Sequence, residues 1–283
     1  MARERRLIIP IFIPFGGCPH RCVFCDQEGI TGFRELPSTK EVRETIDACL
    51  ATWKGAGRGG SIEAAFYGGS FTALPAELQT AYLECAGEYI EKGLIHSTRL
   101  STRPDSISEE GVELLLSYGV GTVELGAQSM SEEVLRLSGR GHTPADTVRA
   151  VEVLKSRGIT VGVQFMPGLP GDTFASVLET TREVIRLSPG FVRVYPTLVV
   201  RGTPLEKMYR EGRYTPWTLE EMAGVCRSVL DMLEEAGVRV ARMGLQHTEE
   251  LGRSVVAGPY HPSFRDLVQG LRKPPGAQPG LLK

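Results

Sequence analysis

Five short apolar runs, at 7–13, 62–67, 120–126, 159–165 and 191–195, and a more polar strand-like stretch at 98–101 punctuate the chain, and each is followed by a polar or glycine-rich turn. The first is rich in isoleucine and reads as a strand buried on both faces. Between the runs lie stretches with helical spacing and recognisable starts. Ser38 with Glu41 forms a capping box for a helix to about residue 53, and Ser106 with Glu109 forms another for a helix to residue 117. Residues 75–91 read as a helix, a short one carries Arg136 and Arg140, and Thr143-Pro144 places proline where a helix accepts it best. A helix over 173–187 comes next. Thr218 with Glu221 starts the last long helix, and 238–241 reads as a further strand.

Strands alternating with helices predict a parallel sheet with helices outside, an α/β fold. The expected form is a partial (β/α)6 TIM-type barrel over residues 1–215, a C-terminal extension over 216–270 packed on it, and a tail from 271 too poor in apolar residues to join a core. The polar, glycine-rich and cysteine-rich turns all come after strands, and in an α/β barrel these positions share the face where active sites are built. That coincidence argues for an enzyme. Gly55, Gly57 and Gly60 match a dinucleotide fingerprint by letter but lie after a helix and before a strand, so they read as a connecting loop.

Composition narrows the picture. With 283 residues, 41% of them hydrophobic, the chain can bury a full core, and a net charge of −2 carries no global field for nucleic acid. No segment is long and apolar enough to span a membrane, and the basic start before residue 7 lacks the length and cleavage site of a signal peptide. Six cysteines, three of them clustered, suit a reducing cytoplasm.

The cluster is Cys18, Cys22 and Cys25, with His20 between the first two. Thiolates at this density are soft metal ligands. A closed zinc site needs four ligands, and Cys49, Cys85 and Cys226 stand apart, so three thiolates point to a metal centre with one open position. A zinc knuckle completed by His20 is the alternative.

The spacing C-x3-C-x2-C, with Phe24 just before the last cysteine, resembles the cluster loop of the radical S-adenosylmethionine (SAM) enzymes. The resemblance extends through Phe66–Thr72, Ser101–Asp105, Val123–Ser129, Arg140–Thr143, Met166–Gly171 and Tyr195–Val199, and is closest to the branch of the Elongator catalytic subunit and the oxygen-independent coproporphyrinogen oxidases. It implies a 4Fe-4S cluster on Cys18, Cys22 and Cys25, and SAM on its open iron. It also implies that Gly68 and Gly69 face the SAM amino end, Arg140 its carboxylate, Gln128 and Gln164 the ribose, and backbone at Phe24 and Gly168 the adenine. Ser101 matches a further SAM-contacting position that is acidic in the oxidases and is left out of the set.

The implied reaction is reductive SAM cleavage to a 5′-deoxyadenosyl radical, with a reductant such as flavodoxin or ferredoxin and a transfer-RNA (tRNA) base as substrate. A porphyrin-type or other small-molecule oxidase is one alternative, and a non-catalytic iron-sulfur or zinc protein is another. The match ends near Arg213, and the residues after it are too few for the acetyltransferase domain of the Elongator-like enzymes. The chain accordingly reads as a truncated or degenerate member without acetyl transfer.

Overall fold

A computed structural model describes residues 6–19, 21–27, 32–33, 35–53 and 60–271. His20, the glycines at 55 and 57, and the tail beyond 271 lie outside the described residues. Seven strands form one parallel sheet: β1 (Arg6–Ile13), β2 (Ser61–Gly68), β3 (Ser97–Thr102), β4 (Val120–Gln128), β5 (Thr160–Phe165), β6 (Phe191–Val194) and, beyond a short excursion, β8 (Val240–Met243). Their spatial order is that of the chain, and the sheet curls into a half-barrel.

The helices between the strands are α1 (Thr39–Thr52), α2 (Ala76–Glu91), α3 (Glu109–Ser117), α4 (Glu132–Leu137), α5 (Pro144–Ser156) and α6 (Phe174–Arg186). Capping boxes begin α1 at Ser38, α5 at Thr143 and α6 at Thr173. The start of α3 differs from expectation. Pro104–Ser106 forms a 3-10 turn, so Ser106 is consumed by it and Ser108 caps α3 through the Gly111 N–H.

The excursion after β6 contains β7 (Val199–Val200), α7 (Pro204–Arg210) and α8 (Leu219–Glu235), the last capped by Thr218 with Glu221. The chain then forms β8, α9 (Glu249–Ser254), β9 (Val255–Ala257) and α10 (Phe264–Gly270). β9 pairs antiparallel with β7.

Because strand side chains alternate, the two faces of the sheet have different chemistry. Outward positions such as Ile9, Ile11, Phe66, Leu100, Val123, Val163 and Val192 are buried under the helices in one apolar core. Phe264 and Val268 of α10 belong to the same core. Inward positions line a cavity. β1 therefore has one buried face and not two: Ile9, Ile11 and Ile13 enter the core, whereas Ile8, Pro10 and Phe12 face the cavity. Pro10, which has no N–H to donate, is tolerated because β1 is an edge strand.

Candidate active site

A cavity of about 810 Å³ opens on the concave face, at the C-terminal ends of the strands. It brings together Cys18, Cys22, Cys25, Phe24, Gly68, Gly69, Gln128, Arg140 and Gln164, which is every expected site residue but one. Gly168 does not line it. Its N–H donates to Asp172 Oδ2 at 3.0 Å and its carbonyl accepts from the Tyr214 hydroxyl at 2.6 Å, so this turn braces the wall from behind.

The cysteine loop is shaped by backbone contact with the turn after β2. Gly69 N–H donates to Ile13 O at 3.0 Å, and Ser70 N–H to Gly16 O at 2.6 Å. Gly17 has φ +70°, and a Cβ there would lie 2.2 Å from Ser70 O, so no other residue fits. The Gly69 N–H is thus spent inside the protein. What this turn can still offer an ammonium group is carbonyl oxygen.

The loop's far side is tied down by Val23 N–H to Ser138 O at 3.1 Å and by Leu205 N–H to Val23 O at 2.8 Å. Gln27, two residues past the last cysteine, belongs to the site although no motif marks it. Its Oε1 accepts from Phe15 N–H, and its Nε2 lies 3.6 Å from Cys25 Sγ.

Across the cavity, Gln128 has φ +65°, a left-handed conformation costly for a side chain, at the point where β4 breaks register with β5. Its carbonyl accepts from Met166 N–H at 2.8 Å, and Gln164 Nε2 donates to its Oε1 at 3.4 Å. Arg140 is buried, with Nη2 donating to Gly126 O at 2.6 Å and Nη1 at 3.6 Å from Cys22 Sγ. Arg103 holds the Arg140 carbonyl at 2.7 Å while forking onto Asp105 at 2.9 and 2.8 Å. Behind them, His142 Nε2 meets Ala127 O at 3.1 Å. Burial, then Arg140, pushes the His142 imidazole down to about 3, so it is neutral at ordinary pH.

The donor set fits an iron-sulfur cluster. Burial, then the neighbouring Cys22, pushes the Cys25 thiol up to about 12, so its ionisation calls for a cationic centre beside it. Among the described residues no three His, Cys, Asp or Glu side chains converge on one ion position. Three thiols are one short of the four ligands of a closed zinc site and suit a cluster that keeps one position open.

Deeper on the inner face runs a set of ion pairs that no sequence motif announces. Glu124 takes Arg99 Nη1 at 2.9 Å and Arg193 Nη2 at 3.1 Å, and the Tyr67 hydroxyl donates to it at 2.9 Å. Arg99 Nη2 lies 3.0 Å from Glu63 Oε2. Burial works against the Arg193 cation, but Tyr195 and Glu124 outweigh it and raise its pKa. Burial and then Glu124 push Tyr67 up to about 12, so it stays a phenol. A signal was present all the same for part of this face: Glu124, Arg193 and Arg242 are single charges set within strands otherwise rich in apolar residues, which marks positions facing away from the core.

Comparison with known proteins gives these residues a family. The profile of the Radical SAM superfamily matches residues 12–184, and that of the Radical_SAM C-terminal domain matches 189–273. The chain is 30% identical over 241 residues to the tRNA uridine(34) acetyltransferase of Methanocaldococcus infernus, covering 72% of this chain and 45% of that protein. It is 32% identical over 228 residues to an uncharacterized protein of Methanocaldococcus jannaschii, covering 77% and 69%. The chain thus spans less than half the length of the first relative.

Among solved structures, the archaeal Methanocaldococcus infernus Elp3 with an N-terminal deletion superposes with a TM-score of 0.75 at 24% identity, over 94% of this chain and 62% of that one. Coproporphyrinogen III oxidase from Escherichia coli superposes with a TM-score of 0.60 at 16% identity, over 83% and 54%, a likeness of fold. The matched profile covers more than half of the chain and includes all three cysteines, and the chain belongs to the radical SAM superfamily of enzymes.

Proposed function

We propose that this protein cleaves SAM reductively in the concave cavity and uses the resulting radical on a tRNA base, in a reducing compartment such as the cytoplasm. One observation carries the reading: the three thiols of one loop and the guanidinium of Arg140, 118 residues away, meet on one cavity with Nη1 3.6 Å from Cys22 Sγ. Cys18, Cys22 and Cys25 would hold a 4Fe-4S cluster, which would supply the electron for reductive cleavage of SAM to methionine and a 5′-deoxyadenosyl radical. Arg140 holds the SAM carboxylate by a charge-assisted fork. Gln128 and Gln164, already hydrogen-bonded to each other, orient the ribose hydroxyls. The backbone at Phe24 faces the adenine. The walls exclude water from a carbon radical that would otherwise be lost to side reactions.

The tRNA substrate is supported by the names of the relatives, tRNA uridine(34) acetyltransferases among them. A reductant such as flavodoxin or ferredoxin would deliver the electron. Among the described residues no helix is long and apolar enough to cross a membrane.

Anaerobic reconstitution tests the reading. The wild-type chain should take up about four irons and, with dithionite and SAM, release 5′-deoxyadenosine, whereas the Cys18, Cys22 and Cys25 triple alanine variant should do neither. Stoichiometric zinc with no iron uptake would overturn it. Crosslinking of bulk tRNA to the loaded protein, lost on competition with unlabelled tRNA but not with a DNA duplex, is the expected result for the substrate.

A further inference from the structure

On the inner face of the sheet, one rung carries Gln164, Arg193 and Arg242 side by side. Gln164 is the register partner of Arg193 across β5 and β6, and Arg193 is the partner of Arg242 across β6 and β8. Gln164 bonds Gln128. The rung thus leads from the SAM side of the cavity to the last strand of the sheet.

Its charges are unevenly balanced. Arg6, Arg99 and Arg193 share two carboxylates, Glu63 and Glu124, in an alternating series. Arg193 Nη1 also donates to the Tyr195 hydroxyl at 3.3 Å. Arg242, half-buried and lining the cavity, has no hydrogen-bond or ion-pair partner among the described residues. The ionisable arginine and glutamate side chains on the cavity wall are Arg21, Arg140, Arg193 and Arg242 against Glu124 and Glu250. Arg140 is engaged at Gly126 O and near Cys22, Glu124 is shared by two other arginines, and among the described residues Glu250 makes no ion pair with Arg242, so the Arg242 guanidinium is left without a direct counterion. Holding a guanidinium on a partly desolvated wall without a counterion is unfavourable, and its planar fork matches an oxyanion.

We infer that Arg242, with Arg193 and Tyr195 beside it, forms a subsite for an oxyanion group of the substrate, a phosphate or a carboxylate. The inference rests on the reading that SAM occupies the cysteine side, which leaves the β8 side for the second reactant. Gln246 and Thr248, on the loop after β8, face the same space and offer it neutral polar groups.

The test uses the full chain with its reconstituted cluster and saturating SAM, so that Arg140 is occupied before any anion is added. Inorganic phosphate and succinate are then titrated by calorimetry. At least one should bind, and Arg242→Gln should weaken it about tenfold, the scale of a lost hydrogen bond to a charged group. Arg242→Lys should keep most of the affinity, and Arg182→Gln on the outer face of α6 should keep all of it. A preference for phosphate marks a phosphorylated substrate, and one for succinate a carboxylate substrate. Equal binding by wild type and Arg242→Gln, or no binding of either anion to SAM-loaded wild type, overturns the inference. Failure of the underlying reading is seen earlier and separately, as wild-type protein that takes up no iron or no SAM.

Discussion

Gly126 shows how a single hydrogen in place of a methyl group sets the site. A Cβ there would lie 2.8 Å from Gln128 Nε2 and 2.9 Å from Arg140 Nη2. Both atoms are ends of flexible side chains, so the fold can absorb the methyl while the two ligand-facing groups are pushed aside. Gly126→Ala should therefore leave iron content and melting temperature close to wild type and weaken SAM binding by about 1–2 kcal/mol, the worth of a displaced charged hydrogen bond. Equilibrium dialysis of the cluster-loaded variant measures it. Unchanged affinity would mean that Arg140 and Gln128 do not hold SAM from their present positions.

At the scale of elements, the cysteine loop and the turn after β2 are one unit built from two distant segments. A Cβ on Gly69 would lie 2.1 Å from Gly16 O and 2.5 Å from Gly16 N. These are backbone atoms and cannot swing away. Gly69→Ala should cost about 1–3 kcal/mol, as overpacking does, and lower the iron retained per chain. Gly87→Ala within α2, where the nearest atom is Tyr118 Cδ1 at 3.9 Å, is the control and should keep full iron. Urea unfolding and iron assay distinguish the two variants, and equal iron retention would refute the coupling.

Most elements were legible because their signals are local. Ser38 with Glu41, and Thr143-Pro144 with Asp146, announce helices by themselves. Ser106 with Glu109 announces one too, but Pro104 diverts it into a 3-10 turn, and the working cap at Ser108 has no acidic residue at Gly111 to advertise it. The pairing of β7 with β9 spans two short segments with no period of their own. The thiols, glycines and Arg140 were legible as a site through resemblance. That Gly168 braces the wall was not, since the groups that occupy its backbone, Asp172 and Tyr214, become neighbours only on folding.

Two buried groups pull the whole molecule's response to acid in opposite directions. His142 is held neutral down to about 3, so between its ordinary 6.5 and that value the unfolded chain binds a proton that the folded chain refuses, and stability falls as pH falls. Burial raises Asp172 from 3.8 to about 6, so in that window the folded chain holds the extra proton and stability rises as pH falls. Replacing His142 by Gln keeps a donor for Ala127 O and removes only the first effect. Wild type should lose stability relative to His142→Gln by roughly 1.4 kcal/mol per pH unit from about pH 6.5 to 4. Parallel curves of unfolding free energy against pH would show that His142 is not held neutral.

The strand order has a consequence for how the protein is made. Each strand from β2 to β6 pairs with the one synthesised just before it, so a chain emerging from the ribosome can add one strand and helix at a time to a sheet that already exists. By the time Thr102 is out, the cysteine loop has its backbone contacts with Gly69 and Ser70, while those with Ser138 and Leu205 come later. The wall contributed by Leu245, Gln246 and Leu251 is made only after β6. The order of synthesis thus presents the thiol loop on its Gly69–Ser70 side before the far wall of the cavity has been made.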